Sequence, residues 1–527
     1  MKSITADGSH VHHSSTLHSR NGHRVQGSTL PRPVARAENH DRVLVCGGGP
    51  AGLTAAYLLA RQGGVPVVVE AGSEVGGLAR TYRYKDYSFD IGGHRFFTKL
   101  SPVQDLWEEL LGEDLIDVLR MSRIYYDGQF FQYPLRPMDA LRGLGLGRAS
   151  RVMLSYLGTR LRPNPVEENF EQWVSNRFGG ELYRIFFKTY TEKVWGIPCT
   201  EIQAEWAAQR IQGLSLARAI LSATPLQRRS SGIRTLIDSF KYPRLGPGQM
   251  WERCRDRIRE KGGEVLLEHR VEEFETDGNR VTAAWTRSPA GRQKREAEHF
   301  ISSLSLRSVV GAFGDRAPVA VREAAERLSY RDFVLVALVV DHPSLFPDNW
   351  IYVHSSDVAV GRIQNFKNWS AEMVPDPRTT VLGMEYFCFQ GDQIWNKSDD
   401  ELIAFATREL ESLGLAGGAR VTDGTVLRVP EAYPTYDATY RQCVSVIREF
   451  LDPLENFHTI GRNGMHKYNN QDHSMFTAML TVDNLRGASH DVWSVNTDYD
   501  YHEEVRVNGA SAVGNGVSAG HNGHRTG

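Results

Sequence analysis

The stretch VLVCGGGPAGLTAAYLLA, from Val43 to Ala60, constrains this chain more than any other. It carries no charge and approaches the ~20 apolar residues that cross a bilayer. Gly47-Gly48-Gly49-Pro50 interrupts it, and neither clustered glycines nor proline suits the inside of a continuous helix. The stretch therefore reads as a strand (Arg42–Cys46), a turn and a helix (Leu53–Gln62), with a second strand at Val65–Glu70. That order sets two parallel strands on either side of a crossover helix. The turn holds Gly47-x-Gly49-x-x-Gly52, and Glu70 closes the second strand. Gly47 permits the tight turn, Gly49 lets backbone N–H groups approach a pyrophosphate, and Gly52 lets helix and strand pack closely. Glu70 stands where a carboxylate accepts hydrogen bonds from a ribose hydroxyl. Strand, glycines, helix and acid in register predict a dinucleotide site.

The 527 residues are 41% hydrophobic and 24% charged, ordinary for a globular chain and long enough for several domain-sized units. A formal charge of −2 gives no general attraction to nucleic acid, so no such partner is expected and any anion site must be local. The five cysteines lack CxxC spacing and read as reduced intracellular thiols; no metal is expected. The N-terminus has no apolar signal region, which gives the expectation of a cytoplasmic protein without a membrane span. Residues 1–40 and 505–527 read as disordered tails, and the histidines at 10, 12 and 13 as part of a solvated segment. From about 150 to 225 the pattern is mostly helical, with Phe170, Trp173, Val174 and Phe178 at helical spacing. Glu264–Leu267 and Arg280–Trp285 flank Asp277-Gly278-Asn279 and predict a hairpin, while Phe333–Val340 and Val381–Phe389 read as strands.

Gly76-Gly77-Leu78-Ala79-Arg80 follows Glu70 and resembles the paired-glycine motif of flavoproteins, in which Gly77 and Arg80 extend the contact along FAD. With Phe89-Asp90-Ile91-Gly92-Gly93-His94 added, the chain resembles the amine oxidase and UDP-galactopyranose mutase flavoprotein superfamily. Mutase-like segments follow in order at Tyr133–Leu135, Phe170–Trp173, Thr189–Pro198, Ala432–Asp437 and Gly461–Ser474, so the resemblance covers roughly residues 42–490. It implies an α/β fold. A Rossmann-like, discontinuous FAD-binding domain would be drawn from residues 41–100, 241–310 and 450–490. A largely helical insertion would occupy 101–240 and a mixed-sheet substrate domain 311–449. The implied reaction interconverts pyranose and furanose forms of a nucleotide sugar, with N5 of reduced flavin attacking the anomeric carbon. No electrons are consumed, yet FAD must be reduced, and NAD(P)H is the implied outside reductant.

The same resemblance assigns residues. Gly93 would bring backbone against the isoalloxazine, with His94 beside it, where an imidazole changing charge near neutrality tunes its neighbour. Arg362, in GRIQNF, matches a diphosphate-binding arginine. Lys188 stands where a second arginine is usual, keeping the charge but losing the bidentate fork. Tyr433 and Tyr468 match tyrosines that approach the diphosphate, a phenol being an uncharged donor. Trp369 occupies a mutase tyrosine position. Arg462 would lie near the flavin or sugar, and Asn470 near the ribityl–pyrophosphate side, before a helix capped by Asp472 or Ser474. Val271 matches a segment whose backbone contacts the adenine end of FAD. Trp173, Trp195 and Trp206 read as core, so base recognition stays unassigned. A nucleotide sugar is the expected partner, and self-association is left open. The alternative is an FAD-dependent oxidoreductase of the amine oxidase, protoporphyrinogen oxidase or desaturase type, because the fold alone permits either.

Overall fold

The computed structural model describes residues 42–135, 137–204, 235–236, 239–496 and 504–505. The tails at 1–40 and 506–527, Trp206 and the helical pattern beyond residue 204 lie outside the described residues.

Five short strands form one parallel sheet, in the order Glu264–Leu266, Val67–Val69, Val43–Cys46, His299–Ser302 and Phe457–Thr459. Such a sheet is covered on both faces, which is why its central strands Val67–Val69 and Val43–Cys46 are apolar runs without alternation. The helix Pro50–Arg61 covers one face and is itself buried nearly all round, packed against the sheet and the last long helix, Gln471–Asn484. Proline at its first turn and Ala-Leu content explain where it starts and why it persists. Gly52 sets the approach: a Cβ there would lie 2.0 Å from the Gly47 carbonyl oxygen.

The turn Asp277-Gly278-Asn279 does form a hairpin, but its first arm is Arg270–Asp277, paired antiparallel with Arg280–Ser288. Glu264–Leu266 instead runs parallel to Val67–Val69. The sequence misleads here because Arg270–Asp277 buries only Phe274 completely. Its outer face carries ion pairs, Glu272 with Arg287 on the neighbouring strand and Glu275 with Lys294, at 2.7 Å, on the third strand Gly291–Glu296.

The second sheet has seven strands, in the order Val421–Pro434, Tyr330–Val340, Thr380–Cys388, Arg362–Asn365, Trp350–Val353, Ser122–Tyr126 and Gln129–Gln132. It is mixed: Trp350–Val353 runs parallel to Ser122–Tyr126, and the remaining neighbours are antiparallel. Tyr330–Val340 is buried along its whole length, between Val421–Pro434 and Thr380–Cys388. Between the two strands Ser122–Tyr126 and Gln129–Gln132 and the other five of this sheet the chain inserts helices Gly145–Leu161, Phe170–Phe178 and Gly180–Tyr183, a wide π-type turn at Arg184–Lys188, and helix Thr189–Trp195. Phe170–Phe178 starts at a reciprocal cap: the Gln172 backbone N–H donates to Asn169 Oδ1 at 3.0 Å, and the Asn169 N–H returns to Gln172 Oε1 at 3.3 Å. The fold is therefore α/β, with a discontinuous Rossmann-like part, a helical insertion and a mixed sheet. Among the described residues no helix is long and apolar enough to cross a membrane.

Candidate active site

A cavity of about 1100 Å³ runs from the glycine turn to the mixed sheet and the helical insertion. It exceeds the ~300–1,000 Å³ that suits a single small ligand. At its glycine-loop end, Gly47 takes φ +104° and Gly76 and Gly77 take +103° and +54°, values that favour glycine. Glu70 braces this loop: its Oε2 accepts from the Gly48 N–H and its Oε1 from the Gly72 N–H, each at 2.7 Å. Each oxygen keeps a second lone pair for a ribose hydroxyl. The Gly76 N–H donates to the Gly48 carbonyl at 2.8 Å, joining the two glycine segments, and Arg80 Nη1 donates to the Gly77 carbonyl at 2.9 Å within the second. Gly49 and Gly77 thus line the wall, while Gly52 and Arg80 act behind it.

At the other end, Gly92, Gly93 and His94 face Arg362, Gln364, Trp369, Tyr433, Arg462 and Tyr468. Arg362 lies directly across the strands from Glu385, and its Nε donates to that buried carboxylate. Glu385 also accepts from Gln364 Nε2 at 2.8 Å, and Arg362 Nη2 donates to the Tyr433 hydroxyl at 3.0 Å. Burial opposes the guanidinium charge, but Glu385 and the surrounding phenols hold its pKa well above the ordinary value. Tyr433 and Tyr468 stack at 5.7 Å with planes 20° apart. Arg462 lies over both rings, 5.0 and 4.3 Å from their centres, and its buried Nε has no hydrogen-bond partner. Buried Tyr433 is pushed up in pKa and stays a neutral phenol.

His94 is a correction to the sequence reading. Desolvation, then Arg462 and Arg362, push it down to about 3, so it is a neutral imidazole near pH 7 rather than one poised to change charge. Trp369 also differs from expectation, because its indole N–H is spent on the Asn349 carbonyl at 2.9 Å and presents only ring surface to the cavity. The helix that follows Asn470 is capped by Asn470 itself, not by Asp472 or Ser474; the Asn470 N–H meets His473 Nδ1 at 3.3 Å. Asn470 and Gln471 line the cavity, and Gln471 Oε1 is buried without a partner.

Besides Gly52 and Arg80, two further proposed site residues, Lys188 and Val271, are not brought to the cavity. Phe187, Tyr190, Thr191, Val194 and Trp195 line it, while Lys188 is exposed and lies outside that lining. Lys188 sits on the π-type turn, where its carbonyl receives Cys199 Sγ. Val271 lies in the three-stranded meander and packs against the neighbouring core. Lys188→Ala is therefore expected to change the substrate KM by no more than about twofold, the scale of a neutral substitution, measured by steady-state kinetics.

Sequence reasoning missed Glu385, Gln364 and Tyr190. The signal for Glu385 was visible: it is the lone charge in the strand Thr380–Cys388, and an acid in a buried strand demands a partner. Tyr190 stacks on His354 at 4.5 Å and 8°, forming an aromatic wall with Tyr133, Tyr352 and Phe186. Burial, then Lys193, pushes His354 down to about 3, and burial first of all holds His458, His466 and His473 at about 4. Unfolded histidines titrate near ~6.5. Between that pH and about 4 the unfolded chain binds more protons, so stability present above ~6.5 is lost as pH falls. The unfolding temperature should hold from pH 8 to 7 and drop below about 6.5, and His354→Phe should flatten that slope. An unchanged slope would mean that His354 titrates normally in the folded protein.

Residues 50–466 match a family model described as flavin containing amine oxidoreductase. Among curated proteins, an L-amino-acid oxidase of Crotalus adamanteus is 49% identical over 66 residues, 12% of this chain and 13% of that protein. A probable UDP-galactopyranose mutase of Klebsiella pneumoniae is 25% identical over 175 residues, 32% of this chain and 44% of that protein. The alignments thus span less than half the length of either relative. The crystal structure of a reduced UDP-galactopyranose mutase superposes with a TM-score of 0.75 at 20% identity, covering 87% of this chain and 98% of that one, and shares the fold.

Proposed function

The chain belongs to the flavin-containing amine oxidoreductase family, and from that premise we propose that it is a nucleotide-sugar mutase interconverting pyranose and furanose forms with reduced FAD. The observation that carries this reading is the buried Arg362–Tyr433–Tyr468–Arg462 cluster, which opens onto the same cavity as the glycine loop. A cationic, phenol-rich wall suits a substrate with a diphosphate and is out of place against a neutral amine or hydrocarbon.

The residues present fit FAD. Gly49 leaves open wall where a side chain would intrude, Glu70 retains acceptor capacity, and partnerless buried atoms on Arg462, Asn463 and Gln471 await polar contacts. Gly47, Gly49, Glu70 and Gly77 would hold its nucleotide part, and Gly93, Arg462 and Asn470 its remainder. When bound and reduced, FAD would supply the nucleophile for the anomeric carbon.

The chain's own groups handle the leaving diphosphate. Arg362 has five N–H donors, of which two are engaged by Glu385 and Tyr433. Glu385 fixes the fork's orientation, so that no reorganisation is needed as charge develops on the departing oxygens. Tyr433 accepts from Arg362, which directs its own O–H proton elsewhere, toward an anion in the cavity. Arg462 adds a second fixed cation. His94 enters as a neutral group, and an anion arriving between Arg362 and Arg462 would oppose their effect and raise its pKa.

A second reading rests on the apolar wall of Ile124, Leu135, Phe170, Phe186 and Phe187, which would suit an oxidoreductase acting on an apolar substrate. The test uses purified protein reduced anaerobically with dithionite, and separately with NADH or NADPH, then incubated with UDP-galactofuranose and a panel of nucleotide sugars. Ring-form exchange seen by chromatography only with reduced protein supports the mutase. No exchange, together with flavin reduction by an apolar substrate, replaces it with the oxidoreductase.

A further inference from the structure

The helix Gly145–Leu161 buries Val152 and Tyr156 against a core cluster that includes Phe170 and Phe186 of the cavity wall. Its opposite face is unusual. Leu146, Leu154, Leu157 and Leu161 are 90%, 70%, 52% and 83% exposed. At 100° per residue these four fall within an arc of about 80°, making one continuous leucine stripe. Large exposed leucines gathered on one face mark an interaction surface, whereas scattered ones would not.

The charge around the stripe selects the occupant. From Ala140 to Val166 the chain carries Arg142, Arg148, Arg151, Arg160 and Arg162 and neither Asp nor Glu. Arg151 and Arg160 flank the stripe on opposite sides by the same helical arithmetic. Among the described residues only Arg148 of these five has an ion-pair partner, Asp127 at 2.6 Å, and that pair is half exposed. Such a local excess stands against a chain whose net charge is −2. A second copy docked about a two-fold axis would bring arginines against arginines. An anionic bilayer surface satisfies both features, taking leucines into the headgroup–acyl boundary and arginines among lipid phosphates.

We propose that the helix Gly145–Leu161 is a peripheral membrane-docking element that lies on anionic phospholipid with its leucine stripe buried. The reading does not depend on which reaction the cavity performs. The flavin-loaded 527-residue chain is pelleted with phosphatidylcholine vesicles made with and without phosphatidylglycerol. The wild type should partition at least about tenfold more strongly to the anionic vesicles, and less as salt is raised. Leu154→Gln with Leu157→Gln should lower that partition by about tenfold or more, while flavin absorbance and unfolding temperature stay unchanged. Arg151→Gln should weaken the salt dependence. The proposal is overturned if the protein does not pellet with anionic vesicles at low salt, if both vesicle types bind it equally, or if the leucine double variant pellets like the wild type. It is also overturned if sedimentation velocity shows a dimer that the leucine variant abolishes, since the face then belongs to a second copy.

Discussion

Arg362→Ala should lower kcat/KM for the nucleotide sugar by roughly 10²–10³-fold, the effect of removing one fixed donor from a developing oxyanion. It should also lower stability, for a separate reason. Glu385 is fully buried and faces Arg362 across the sheet, and a buried carboxylate stripped of its cation costs about 3–5 kcal/mol. The two losses can be parted. Arg362→Met combined with Glu385→Gln removes both charges and keeps the volume, so the unfolding temperature should recover while turnover does not. Flavin content should stay constant in both variants. Recovery of turnover in the double variant would remove Arg362 from the diphosphate site, and loss of flavin from the single variant would move it to the cofactor site.

Alanine at Gly49 and alanine at Gly52 should fail in different ways. Gly49 has φ −84° and ψ −175°, open to any residue, and a Cβ there would meet nothing nearer than Gly77 Cα at 3.8 Å. Gly49→Ala should fold and melt like the wild type without cofactor, yet its methyl occupies the surface a pyrophosphate must approach. A loss of about 100-fold in FAD affinity is expected, equivalent to ~3 kcal/mol. Gly52→Ala places a methyl 2.0 Å from the Gly47 carbonyl oxygen, a contact that only displacement of the helix Pro50–Arg61 can relieve. It should lower soluble yield and unfolding temperature as well as flavin content. Flavin titration and thermal unfolding of the cofactor-free proteins separate the two. A Gly49→Ala protein that purifies yellow with wild-type affinity would refute the placement of the pyrophosphate.

The parts of the fold legible in the sequence were those whose cause is local. The strand Val43–Cys46, the helix Pro50–Arg61 and the strand Val67–Val69 were readable because a turn needing positive φ, a proline at a first helical turn and two apolar runs are adjacent in the chain. The strands Tyr330–Val340 and Thr380–Cys388 were readable as long apolar runs. The hairpin's first arm was not, since Arg270–Asp277 shows one fully buried residue and is otherwise a charged, half-buried strand held by its ladder and cross-strand ion pairs.

The sequence alone determined that this chain builds a parallel nucleotide-binding sheet, that Gly47, Gly49 and Gly52 shape its turn, and that its motifs are those of a flavoprotein family. Tertiary structure alone decided that Arg362 is paired with Glu385, that His94 is neutral, that Lys188 is left out of the cavity lining and that a leucine stripe stays in the open. The first set depends on backbone geometry among residues close in the chain. The second depends on strand register, on which side chains the packed elements bring to one cavity and on which distant charges share a desolvated space, and none of these exists until the chain is packed.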